Sequence, residues 1–261
     1  MNIVVSLSAM VLSAGFTFHL GVENWINYGL FSFFSTLAVY NGQRVFKSEQ
    51  LNETPWLHWV KKNKQALIFV VVTSSVSALL SLILLLNLNW KTMTILGVSG
   101  LISALYVIRL CGKNLRETPF LKIHLIALSW TLILIVFPIV NESIDTSKWL
   151  YGVAHYLFVL GVTIPFDIRD LKYDSVSQKT IPQLVGVPAS KVIGVFAILI
   201  FGLLMTQINP VFIINPLFVV AIIFQILLLV LANERRSDAY YAGLIDGAIG
   251  VLGFSYFFCQ H

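Results

Sequence analysis

The chain has 261 residues, 57% of them hydrophobic and only 11% charged, where a soluble domain carries about 25% charged residues. That composition excludes an ordinary soluble protein, and the net charge of +5 is expected to serve topology and contact with anionic lipid rather than nucleic-acid binding. Two cysteines, with no CxxC and no Cys/His metal spacing, give no sign of redox or zinc chemistry.

The apolar residues come in long blocks rather than along one helical stripe, the pattern of helices surrounded by lipid or buried in a large core. A crossing needs about 20 residues, and nine segments are read as spans: 3–22, 27–46, 66–87, 92–109, 120–140, 149–167, 190–207, 212–232 and 239–258. The first could be mimicked by a secretory leader. No basic residue precedes it and no clear small-residue cleavage site follows, so it is read as a span. An all-α, polytopic protein with about nine transmembrane helices around a central cavity is expected.

Charge placement orients the chain. With the N-terminus cytoplasmic, every Lys and Arg except Lys91 and Lys148 faces inward, which follows the positive-inside rule. The C-terminus is then outside, and Cys111 and Cys259 lie on opposite sides of the membrane. Trp25, Trp90 and Trp149 fall near the outer ends of spans, where indole rings favour the interface. The compact chain points to a bacterial inner membrane, with an organelle membrane as the alternative.

Between the second and third spans, LNETPWLHWVKKNK (51–64) is read as an interfacial helix, with Thr54 as cap, Pro55 at the first helical position and Lys61, Lys62 and Lys64 toward lipid phosphates. Its role is either that of an ordinary membrane-hugging loop or that of a lid over the cytoplasmic cavity. The second long polar segment, 167–189, also follows an inward-running span. One domain is therefore read over 1–261, with two similar four-helix halves, about 1–118 and 119–233, and a last helix at 239–258. Repeats of this kind place a binding site at their interface.

That second segment, DIRDLKYDSVSQKTIPQLVG (167–186), carries the chemistry. On a helix, at about 100° per residue, Asp167, Asp170 and Asp174 share an arc of about 60° while Arg169 and Lys172 point elsewhere. Three carboxylates on one face repel unless a cation joins them. Mg2+ takes such oxygen ligands and usually shares them with substrate phosphates. A solvated acidic turn is the structural alternative.

The same residues resemble the second aspartate motif of the UbiA superfamily of intramembrane prenyltransferases: Asp170 and Asp174 four apart, then Lys179, Thr180, Pro182, Leu184 and Gly186. Asp167 and Arg169 stand where many members have Asn or Asp and a basic residue. The resemblance extends to Tyr106 with Arg109, to LRETPFLK with Arg116 and Lys122, to Trp130 and to LIDG around Asp246. It implies a helical bundle in which two facing aspartate motifs hold Mg2+ and a polyprenyl diphosphate. The isoprenoid tail would lie among apolar helices, and the diphosphate would leave as the allylic group alkylates a lipid or aromatic acceptor. On this reading Asp170 and Asp174 are catalytic, Asp167, Asp170 and Asp174 hold metal, and Asn41, Arg44, Tyr106, Arg109, Lys122 and Lys179 contact diphosphate. Membrane lipids are the other partners; no nucleic acid and no obligate protein partner are expected.

The first motif departs from the family. It should read Asn-Asp-x-x-Asp with another acid four residues on; here Asn41 matches, Gly42 and Val45 replace aspartates, Arg44 adds a positive charge and Glu49 is the nearby acid. Three readings follow: an active enzyme with fewer metals, in which Asn41 and Arg44 hold diphosphate directly; an intramembrane terpene cyclase; or a non-catalytic protein that binds isoprenoid lipid. Arg116 is read as a topological charge, and Asp246 as tuning the cavity or bonding a neighbouring helix, with the bond preferred. His19, His124 and His155 are read as hydrogen-bonded packing. No Ser/His/Asp set, P-loop or dinucleotide fingerprint occurs.

Overall fold

The computed structural model describes residues 2–47, 55–85, 89–108, 115–145, 148–172, 174 and 178–259. Among them there is no strand. The helices are α1 Ile3–His19, α2 Trp25–Lys47, α3 Pro55–Lys62, α4 Lys64–Leu85, α5 Trp90–Leu105, α6 Leu121–Thr131 and α7 Phe137–Asn141. They continue as α8 Trp149–Asp170, α9 Ile181–Ile208, α10 Val211–Ile214, α11 Pro216–Leu231 and α12 Asp246–Ser255. A π-helical turn, Leu132–Val136, joins α6 to α7, and another, Tyr240–Ile245, leads into α12. The described residues of the segments read as spans are mostly helical. Five helical stretches, among them Leu121–Asn141 and Tyr240–Phe258, are long and apolar enough to cross a membrane, and α1, α5 and α11 are shorter apolar helices. The chain is an all-α integral membrane protein.

Local chemistry sets several of the helix ends. Asn89 starts α5 by accepting from the Thr92 N–H at 2.8 Å, and Asn215 starts α11 by accepting from the Leu217 N–H at 2.9 Å, with Pro216 next in line. The sharpest departure from the sequence reading is α9, expected from residue 190 and found from Ile181. Gln183 reaches back to accept from the Thr180 N–H at 2.9 Å, which begins the helix early. Gly186 then takes φ 79°, ψ 163° inside it, and Pro188 follows. That backbone region is open almost only to glycine, so α9 is kinked there and its first turn is angled away from the rest.

Lipid offers little hydrophobic drive for helices to associate, so close backbone approach and buried polar contacts hold them together. α1 packs on α2 and α12, α2 on α4, and α8 on α6 and α9. At the crossing of α1 and α12, a Cβ on Gly15 would stand 2.0 Å from the Gly253 carbonyl oxygen, so nothing larger fits. Of the apolar stretch of α8, 56% is buried, against 22% for α4, which makes α8 central and α4 peripheral. The described part of 51–64 is the short helix α3, with Trp59 exposed and Val60 buried. Thr54 lies outside the described residues.

Candidate functional site

α2, α5 and α8 finish, and α6 and α9 begin, at one end of the bundle, called the mouth here. Asp167 and Asp170 occupy the last turn of α8, and Asp174 follows with its N–H bonded to the Asp170 carbonyl at 2.8 Å. All three carboxylates converge on one ammonium. The Nζ of Lys122 is 2.9 Å from Asp167 Oδ1, 2.5 Å from Asp174 Oδ2 and 3.9 Å from Asp170 Oδ2. Lys122 itself is only 6% exposed, and burying such charges is tolerable because they are paired.

The local fold aims that lysine. Phe120 takes a left-handed backbone, φ 64°, and its N–H donates to the Gln178 carbonyl at 3.1 Å. This ties the start of α6 to the loop beyond Asp174 and turns the first residues of α6 toward the end of α8. From the other side Gln183 Nε2 donates to the Asp174 carbonyl at 3.3 Å. Gln183 thus both starts α9 and braces the acidic loop.

Two arginines flank the cluster. Arg169 holds Asp170 with a fork, Nε at 2.8 Å from Oδ1 and Nη2 at 3.3 Å from Oδ2, and its guanidinium lies 5.3 Å from the ring centroids of both Phe166 and Tyr241. Arg116 Nη2 is 3.5 Å from Asp174 Oδ1, and its guanidinium lies 5.9 Å from the Tyr106 ring centroid. Burial works against the Arg116 charge, but Tyr106 and the carboxylates of Asp174, Asp170 and Asp167 outweigh it and hold the group above its ordinary range. Both arginines depart from expectation. Arg169 has a stem long enough to curl back onto its neighbour, and Arg116, read as topological, belongs to the cluster.

The structure brings Asp167, Asp170, Asp174, Lys122 and Tyr106 together. Asn41 is fully buried; its Nδ2 donates to the Leu37 carbonyl at 2.8 Å, while its Oδ1 has no partner among the described residues. Arg44 is half-buried, within electrostatic reach of Arg169, Asp238 and Asp246. Asp246, read as a bond to a neighbouring helix, has no hydrogen bond or ion pair among the described residues. It lies instead within reach of Arg169 and Arg44, at the end of a π-helical turn; such turns recur at functional sites. Lys179 is exposed and makes no ion pair with the described residues. Arg109, Lys113, Cys111 and Glu49 lie outside the described residues.

Beside the mouth runs an apolar cavity of about 600 Å³ between α2, α4, α5 and the α6–α7 stretch. Ala104 and Val107, on either side of Tyr106, line its inner end; Phe31, Leu96 and Ile133 line it further along. Tyr40 and Trp130 share its wall, joined by a bond from Trp130 Nε1 to the Tyr40 hydroxyl at 3.0 Å. Sequence reasoning passed over Tyr40, although it directly precedes Asn41; that adjacency was the available signal.

Three carboxylates are the hard oxygen donors that Mg2+ takes, so the site fits this ion in kind. Their present arrangement is closed around an ammonium. Among the described residues no three His, Cys, Asp or Glu side chains stand ready around a metal.

No family model and no curated protein matches the chain. Among solved structures it is similar to a UbiA homolog from Archaeoglobus fulgidus bound to GPP and Mg2+, with a TM-score of 0.64, 12% identity and 98% of each chain covered. The chain therefore has the fold of that UbiA homolog.

Proposed function

We propose that this is a UbiA-type intramembrane prenyltransferase, moving an isoprenoid group from a polyprenyl diphosphate to a lipid or aromatic acceptor. The observation that carries the reading is the charged cluster at the mouth beside an apolar cavity. Its volume, about 600 Å³, falls within the ~300–1,000 Å³ of small-molecule sites. The fold shared with a protein bound to GPP and Mg2+ supports the same reading.

In the transfer, the C1–O bond of the allylic diphosphate breaks and its electron pair leaves with the diphosphate. A nucleophilic carbon or oxygen of the acceptor donates the pair that forms the new bond to C1. The proton that it loses passes to the released diphosphate or to water. Arg116 and Lys122 supply charge-assisted hydrogen bonds to the leaving oxygens. Asn41 and Arg44, on the segment where Gly42 and Val45 replace the family's aspartates, hold the far side of the diphosphate, and Arg109 and Lys179 belong to the same set. The cavity walls hold the isoprenoid away from water, so that the allylic cation meets the acceptor first. Bound at Asp167, Asp170 and Asp174, Mg2+ would neutralise charge building on the leaving group. The mouth faces the cytoplasm.

A second reading, a non-catalytic binder of isoprenoid diphosphate, is favoured by the closed carboxylate cluster and by the loss of aspartates at residues 42 and 45. Labelled prenyl diphosphate, incubated with membranes holding the protein and candidate acceptors, separates the two. Mg2+-dependent formation of a prenylated lipid is expected. Saturable binding with no diphosphate release selects the binder.

A further inference from the structure

We infer that Lys122 is a built-in counter-ion that closes the carboxylate cluster to Mg2+ until a diphosphate draws it away, so that metal and diphosphate enter together. The inference rests on the proposed reading only in placing a diphosphate at the mouth.

Geometry makes the two cations exclusive. The ammonium lies 2.9 Å from Asp167 and 2.5 Å from Asp174, and Mg2+ binds oxygen at about 2.0–2.1 Å with near-octahedral demands. A metal joining these carboxylates would occupy the space held by Nζ and be repelled by it. The lysine is aimed there by the fold, through the left-handed Phe120 and its bond to Gln178.

Charge explains why the closed state is stable. Asp167, Asp170 and Asp174 are matched by Lys122, Arg116 and Arg169. A divalent ion arriving alone would have to displace a partner and leave a surplus charge in a poorly hydrated mouth. On α2, Gly42 and Val45 stand where the family has aspartates, so among its described residues that segment adds Arg44 and no carboxylate. A diphosphate changes the sum: it brings acceptor oxygens for the ammonium and the negative charge that a metal needs. Lysine suits the exchange, being a point charge with three rotatable donors on a flexible stem, whereas Arg169 is fixed by its fork. Binding linkage is reciprocal, so whatever pyrophosphate does for Mg2+, Mg2+ does for pyrophosphate.

The test is calorimetric titration of the purified full chain with Mg2+ alone, inorganic pyrophosphate alone and both, corrected for their association in the same buffer without protein. For the unaltered protein, Mg2+ should bind at least about 10-fold more tightly with pyrophosphate present. Lys122→Met should bind Mg2+ alone about 10-fold or more tighter than the unaltered protein, since a charge within a few ångströms of the metal is gone. Its thermal midpoint should fall in chelator and recover with Mg2+, while that of the unaltered protein ignores Mg2+ alone; Lys122→Arg should remain closed. Equal binding of Mg2+ alone by Lys122→Met and the unaltered protein overturns the inference. So does a pyrophosphate effect of zero on the unaltered protein, which decides the matter even if Lys122→Met does not fold. Diphosphate release from a prenyl diphosphate is read separately. Release without linkage removes the closed cluster alone, and linkage without release removes catalysis alone.

Discussion

Around His19 and His155, at the end of the bundle away from the mouth, polar side chains are buried as neutral pairs. His19 shares hydrogen bonds with the Cys259 carbonyl at 2.7 Å and the Tyr151 hydroxyl at 3.1 Å; His155 does so with the Tyr151 carbonyl at 2.7 Å and the Tyr256 hydroxyl at 2.8 Å. Phe16, Phe201 and Phe212 pack edge-on around them. The mouth is built from full charges, and several of its polar atoms are left over: Asn41 Oδ1, Arg116 Nε and Gln178 Oε1 have no partner among the described residues. Neutral groups that satisfy each other define one packing and gain nothing from a visitor. Charged groups with spare valences are stable yet unfinished, the condition in which an anion and its metal add contacts instead of breaking them.

The largest effect that would break this contrast is at the mouth. Asp170→Asn or Asp174→Asn should reduce Mg2+-dependent diphosphate release by about 10²–10³-fold or more, in line with losing one electrostatic group from a catalytic site. Full activity in both variants would sink the central assignment. Filling the cavity comes next. Gly100 lines it, and a Cβ there would meet nothing within 4 Å. Gly100→Phe should fold and lower kcat/KM for long prenyl donors relative to short ones by about 10-fold. An unchanged ratio would put the isoprenoid elsewhere. The smallest change belongs to the far end. His155→Phe strands the Tyr256 hydroxyl in a buried site and should cost about 1–3 kcal/mol of stability, seen as a lower thermal midpoint with pyrophosphate affinity intact. Altered affinity would mean that the two ends are not independent.

How much of this was legible in the chain differs by residue. The helices were, because long apolar blocks leave few other choices. So were Asp167, Asp170 and Asp174, because helical spacing alone groups them, and so was the packing role of His19 and His155. Lys122 was read as a diphosphate contact and not as the centre of the acidic cluster. That depends on Phe120 bonding to Gln178, a contact between segments that no periodicity reports. Arg169 was turned the wrong way because a helical wheel records where Cβ points and not where a long side chain can return. The early start of α9 was hidden by Gly186 and Pro188, which read as loop residues but here angle a helix without ending it.

The crossing of Gly15 and Gly253 has a consequence in time. Helix α12 packs against α11 and, most closely, against α1, and His19 meets the Cys259 carbonyl across 240 residues of chain. Helix α1 must therefore wait for α12 before His19 finds that partner, and until then the mouth lacks Asp246. A chain that stops before α12 should therefore leave one face of α1 uncovered and His19 without its Cys259 partner.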